Sequence, residues 1–123
     1  MTGYIKKHMK KWLFLLVVVF LLAGCQKKLS LEEYLDLGDK YLTEANYREA
    51  IVAFTKAIEL DPKNPEGYKG LANVYAAAER YEDALDTLEQ GLEEIEDDSL
   101  NDIYEDIQKR YDAWQVLYGM ESM

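Results

Sequence analysis

Two kinds of hydrophobic pattern follow one another along this chain. From Trp12 to Leu22 every residue is apolar, an unbroken run of 11 with no periodicity. Beyond Cys25 the apolar positions separate, and their spacing is that of helices with one buried face. Tyr34, Leu37 and Tyr41 stand at i, i+3 and i+7, and Tyr68, Leu71 and Tyr75 repeat the arrangement. Start and stop signals divide this region. Ser30 with Glu33 forms a capping box, and Leu29 before it is placed to staple onto Tyr34. Asn64 and Pro65 read as an N-cap and first-turn pair, Asp61-Pro62 closes a hairpin, and Asn46 and Arg80 mark tighter turns. The pattern predicts helices near 31–44, 48–60, 65–78, 82–95 and 100–118.

The second pair of helices copies the first. At an offset of 34 residues, Tyr34 pairs with Tyr68, Leu37 with Leu71, Gly38 with Ala72, Tyr41 with Tyr75, Tyr47 with Tyr81, Ala50 with Ala84 and Phe54 with Leu88. Small residues pair with small and large with large, as expected if each unit is a helical hairpin whose helices approach at Gly38 and Ala72. These residues resemble the tetratricopeptide repeat. Repeat one, Leu31 to Asn64, places Tyr34, Leu37, Gly38, Tyr41, Ala50, Phe54, Ala57 and Pro62 on successive signature positions, with tyrosine in place of the first tryptophan. Repeat two, Pro65 to Asp98, keeps the pattern to Leu88 but departs at Gly91 and Glu96, which predicts a less regular end to its second helix. A third, partial match follows at an offset of 36, where Tyr104, Ile107 and Tyr111 echo Tyr68, Leu71 and Tyr75. Position 108 carries Gln where a small residue is expected, so residues 99–123 read as a capping helix. An array of stacked repeats needs such an end, because an internal repeat leaves an apolar face open to water. The resemblance implies an all-α fold, a short α-solenoid of two hairpins plus a C-terminal capping helix, that binds a protein or peptide.

Charge sharpens the division at Cys25. The chain has 24 acidic and 14 basic residues; Lys6, Lys7, Lys10 and Lys11 precede the apolar run, and every acidic residue follows it. A surface this negative repels phosphate backbones, so nucleic acid is excluded as a direct partner. The single cysteine rules out an intramolecular disulfide, and the single histidine, His8, lies in the leader.

Residues 1–24 read as a secretion signal, with a cationic stretch, an apolar core and the small residues Ala23 and Gly24. The apolar run falls short of the roughly 20 residues a helix needs to cross a bilayer. Leu22-Ala23-Gly24-Cys25 resembles the lipobox of bacterial lipoproteins. The resemblance implies diacylglyceryl transfer to the Cys25 thiol, cleavage before it, and a lipidated tether over residues 25–30. Localisation would then be the extracytoplasmic face of a membrane, the cell membrane or an outer membrane where the cell has two.

Candidate chemistry is sparse. The run Glu93-Glu94-Ile95-Glu96-Asp97-Asp98 lacks the alternating oxygen ligands and turn glycine of a calcium loop and reads as a solvated helix end, so no metal is expected. No nucleophile, phosphate loop or cofactor motif is present, so neither catalysis nor a cofactor is expected. The first helices of the repeats offer Leu35, Asp39, Leu42, Lys69, Asn73 and Ala76 as a partner-binding groove of mixed apolar and polar character. Lys69 and Asn73 match positions with which some tetratricopeptide proteins clamp a terminal carboxylate, but Leu35 and Asp39 stand at the equivalent places in repeat one. Tyr104, Ile107, Tyr111, Trp114 and Tyr118 form a stripe longer than one hairpin can cover, making Trp114 and Tyr118 a candidate contact patch. The leading expectation is a non-catalytic, membrane-anchored adaptor in a cell-envelope assembly. Self-association through the last helix and an enzymatic or substrate-binding lipoprotein are the alternatives.

Overall fold

Ser30 starts the helical domain by the expected device. Its side chain accepts from the backbone N–H of Glu33, and the Glu33 carboxylate accepts from the backbone N–H of Ser30 at 2.7 Å. The computed structural model describes residues 9–19 and 28–119. Helix α1 covers residues 9–19 and is followed by α2 (Leu31–Thr43), α3 (Tyr47–Leu60), α4 (Pro65–Ala77), α5 (Tyr81–Glu94) and α6 (Asp98–Tyr118). The lipobox-like residues 22–25 and the terminal residues 120–123 lie outside the described residues. No described helix is long and apolar enough to cross a membrane.

The turns inside the two hairpins are alike. Ala45 and Glu79, 34 positions apart, both have positive φ, 56° and 59°. In the first, the N–H of Asn46 donates to the carbonyl of Tyr41 at 2.8 Å and that of Ala45 to Leu42 at 3.0 Å; Arg80 to Tyr75 and Glu79 to Ala76 repeat this at 2.8 and 3.1 Å. This is the Schellman closure, which satisfies the last carbonyls of one helix before the chain reverses. Asn64 caps α4 through its side chain, with Pro65 in the first turn.

From α2 onward each helix packs on the next in sequence, and α2 also touches α4, as α4 touches α6. The first helices of the hairpins therefore form one row and α3 and α5 a second. Phe54 locks the rows together. It is buried with Ala50, Leu71 and Val74, and its ring lies against Gly38 of α2 and Gly70 of α4. A Cβ at Gly38 would fall 2.6 Å from the ring, and one at Gly70 closer still. The close approach expected at Gly38 is thus to a phenylalanine of the partner helix.

The second hairpin builds its own core from Tyr68, Ala72, Ala76, Ala84, Leu85 and Leu88, closed by Leu100 and Ile107 of α6. Tyr68 is buried, and its hydroxyl donates to the carbonyl of Pro62 at 3.0 Å, which ties the inter-repeat turn to α4. Burial raises its phenol pKa above the ordinary value.

Two expectations are corrected. Gly91 does not end or loosen the second helix of repeat two. α5 runs through it to Glu94, the same 14-residue length as α3, and the missing side chain admits Tyr68 and Leu100. The last helix begins at Asp98, two residues before expectation, because Asp97 caps it by accepting from the N–H of Ser99 at 2.8 Å. The hydrogen bonds from Ser99 hold the Asp97 carboxyl below its usual pKa. The acidic run is accordingly shared out: Glu94 pairs with Lys63 at 3.2 Å, and Asp97 serves the helix start.

Candidate functional site

The row formed by α2, α4 and α6 carries a cleft of about 330 Å³. Leu35 and Asp39 come from α2, Glu66, Lys69 and Asn73 from α4, and Ile103 from α6, with Gly70 and Phe54 beneath them. Four of the six groove residues anticipated from sequence therefore meet in one place. Leu42 is half-buried against the Phe54 cluster and does not line the cleft. Ala76 was expected on the groove surface and is not there. It is 1% exposed, in a cluster with Ile107 and Tyr111 of α6. It lies two turns beyond Lys69 on the same stripe, where the capping helix covers α4, so a partner cannot reach it.

Electrostatics decide what the cleft can hold. The Lys69 ammonium pairs with Glu66 at 3.0 Å, one turn earlier, and its side chain is only 21% exposed. Asp39 stands across from them with its carboxyl pKa pushed up, chiefly by desolvation, then by repulsion from Asp36 and Glu66. Two carboxylates thus face one ammonium that already has a partner. A peptide's terminal carboxylate would compete with Glu66 for Lys69 and be repelled by Asp39. Both carboxylates thus oppose a terminal carboxylate at Lys69 and Asn73. What remains is the exposed amide of Asn73, which can donate and accept, between the apolar walls of Leu35 and Ile103.

The Asp39 shift has a stability consequence with a definite sign. Its folded-state pKa lies above the unfolded value, so the native state binds this proton more tightly and ionisation destabilises the fold. Asp39→Asn is expected to raise the melting temperature modestly at pH 7. The gain should shrink as pH falls and vanish below about 4, where the carboxyl is protonated in both states. Melts of the two proteins from pH 7 to 3 measure this; an advantage that persists at pH 3 sinks the explanation.

The stripe on α6 is continued by a residue of α5. Tyr81 stacks on Tyr111 at 5.8 Å between centroids, Tyr111 on Trp114 at 6.3 Å, and Tyr118 meets Trp114 at 5.5 Å. Tyr104 and Tyr111 send their hydroxyls to Glu89 and Glu82 of α5, at 3.0 and 2.6 Å. Those hydrogen bonds, to the carboxylates named, raise both phenol pKa values. Trp114 is half-buried, whereas Tyr118 is exposed.

A family profile described as a tetratricopeptide repeat matches residues 41–100, from the end of α2 to the start of α6. The helical hairpins are tetratricopeptide repeats. Over 44 residues, 36% of the chain, the sequence is 48% identical to tetratricopeptide repeat protein 36 of Caenorhabditis elegans. The chain spans 25% of that relative's length. A second profile, the prokaryotic membrane lipoprotein lipid attachment site, matches residues 9–26 and so includes Cys25. The repeat match covers Lys69 and Asn73 but neither Leu35 and Asp39 nor Trp114 and Tyr118, so both candidate surfaces extend past it. Repeats of this type are interaction scaffolds.

Sequence reasoning missed Glu66, Ile103 and Tyr81. Glu66 was readable, since a carboxylate three residues before Lys69 on a helix is a natural partner. Ile103 and Tyr81 enter their surfaces through contacts between helices distant in sequence, and no local signal marks them.

Proposed function

We propose that this chain is a lipid-anchored, extracytoplasmic interaction module whose repeats hold a segment of a partner protein in the cleft across α2, α4 and α6, as an adaptor in a cell-envelope assembly. The observation that carries the reading is the convergence of Leu35, Asp39, Lys69 and Asn73, from two repeats and two helices, on one cleft between apolar walls. The lipid attachment sequence at residues 9–26 supports the anchor, and the interaction role of such repeats supports the adaptor. Because Lys69 is neutralised by Glu66, the cleft favours an internal segment with apolar and amide groups over an acidic tail.

The test places a photo-crosslinking amino acid at position 73, facing the cleft, or at position 90, exposed on the outer helix α5, in intact cells. Position 73 is expected to give a discrete adduct and position 90 none. Replacing Lys69 and Asn73 together by Ala is expected to weaken capture of that adduct's protein about two- to tenfold, the cost of about 0.5–1.5 kcal/mol for a lost neutral hydrogen bond. Helicity should stay unchanged. Equal adducts from both positions, or a double variant that binds like the parent, would falsify the cleft as the site.

A further inference from the structure

The end of α6 lies beyond the reach of its neighbour. α5 begins at Tyr81, whose ring already meets Tyr111 and Trp114, so among the described residues no helix lies alongside the last turn of α6. Tyr118 rests on Trp114 and is 52% exposed, and Leu117 beside it is exposed as well. At the foot of this aromatic ladder is a cavity of about 210 Å³, bounded by Tyr111, Trp114 and the turn that leads into α5. Glu79, Glu82 and Asp83 stand around it with a single cation, Arg80.

The charges there are unequally used. Glu82 accepts the Tyr111 hydroxyl and Asp83 holds Arg80 at 2.7 Å. The Glu79 carboxylate has no ion pair or hydrogen bond among the described residues, its backbone N–H alone being used, toward Ala76. The last turn of α6 contains no basic residue, so the negative end of that helix is not compensated from within. An open aromatic face, a spare carboxylate and a helix C-terminus each favour a cation. Rings in this region already accept planar ones: the Arg80 guanidinium lies 4.7 Å from the Tyr75 centroid and that of Arg110 lies 5.9 Å from Tyr81. A guanidinium both stacks on a ring and pairs with a carboxylate, which an ammonium does less well. The excess of acidic residues opposes a second copy of this chain as the occupant.

We propose that the end of α6 and the turn before α5 form a second binding surface, separate from the cleft on the first helices, that takes an arginine-bearing segment of a partner protein. The guanidinium stacks on the Trp114–Tyr118 ladder and pairs with Glu79, while Leu117 covers the aliphatic part of the segment.

The chain carries its own reporter. Trp12 and Trp114 are its two tryptophans and Trp12 lies in the leader, so with Trp12→Phe the membrane-bound chain in phosphatidylcholine nanodiscs, whether or not it is cut before Cys25, has Trp114 as its one tryptophan emitter. A short peptide alternating glycine with arginine is expected to change that emission saturably. The matching lysine peptide should bind several-fold more weakly, and the citrulline peptide, equal in shape but uncharged, should have no effect. Tyr118→Ala and Glu79→Gly are each expected to weaken the arginine peptide about two- to fivefold, the range of one exposed cation–π contact. Glu79→Gly also relieves the left-handed backbone at that position, so weaker binding with an equal or higher melting temperature separates recognition from folding. The Lys69 and Asn73 double variant should titrate like the parent. The proposal is overturned if citrulline acts like arginine, or if the cleft double variant abolishes the response. It is equally overturned if Trp114 is already quenched by brominated lipid, or shifts with protein density, before any peptide is added.

Discussion

Cys25→Ser is expected to abolish fatty-acid incorporation into the protein and to leave the leader attached. The lipid attachment sequence spans residues 9–26, and Cys25 is the only cysteine, so no other thiol can take the diacylglyceryl group. The apolar run is too short for a membrane-crossing helix, and retention is therefore expected to depend on the acyl chains. Each buried methylene contributes about 0.8 kcal/mol, and a single chain holds only marginally, whereas two on one thioether give durable anchoring. Labelling cells with an alkyne fatty acid and following gel mobility measures both effects. Complete loss of label and an unshortened chain are expected, with the repeats still helical. A Cys25→Ser protein that is labelled and shortened like the parent removes the anchor from this account.

Phe54→Ala is expected to cost about 3–5 kcal/mol, the usual loss for a large aromatic removed from a core. That is a large part of the total stability of about 5–15 kcal/mol for a natural domain, so the melting temperature should fall by roughly 15 °C or more. The cost is high because Phe54 is the piece the two repeats share: it is 1% exposed and lies against Gly38 of one and Gly70 of the other. The converse change tests the same geometry from the glycine side. Gly70→Ala gains up to about 1 kcal/mol in helix propensity, yet it is expected to destabilise by about 1–3 kcal/mol because its Cβ enters the ring's space. Pairing Gly70→Ala with Phe54→Leu should recover part of the loss, so the double variant is more stable than the two single effects predict. Strict additivity in thermal melts would mean that the ring and Gly70 do not compete for space.

Much of the fold was legible because a repeat protein writes its packing in local spacing. Tyr34, Leu37 and Tyr41 lie on one stripe, and a stripe must be buried whatever covers it. Caps at Ser30, Asn64 and Asp97 are local hydrogen bonds within three residues of the helix start, and two of the three were read correctly. Asp97 was missed because it lay inside an acidic run whose excess charge masked its capping role. Gly91 was misread for a similar reason. A glycine inside a helix has two local meanings, a break or a close approach, and only the arrival of Tyr68 and Leu100 shows which applies.

The sequence by itself determined the helices, their pairing into hairpins and the lipid attachment motif, since each rests on residue types a few positions apart. Tertiary structure alone decided which groove residues are reachable. Ala76 shares a stripe with Lys69, but α6 covers one end of α4 and leaves the other open. It also placed the carboxylate of Asp39, from another helix, beside the Lys69–Glu66 pair, where it opposes an acidic ligand. The reason is the same in both cases. Spacing along a helix says which side chains share a face, whereas exposure and local potential depend on the neighbouring helices, which chain reversals bring from 30 or more residues away.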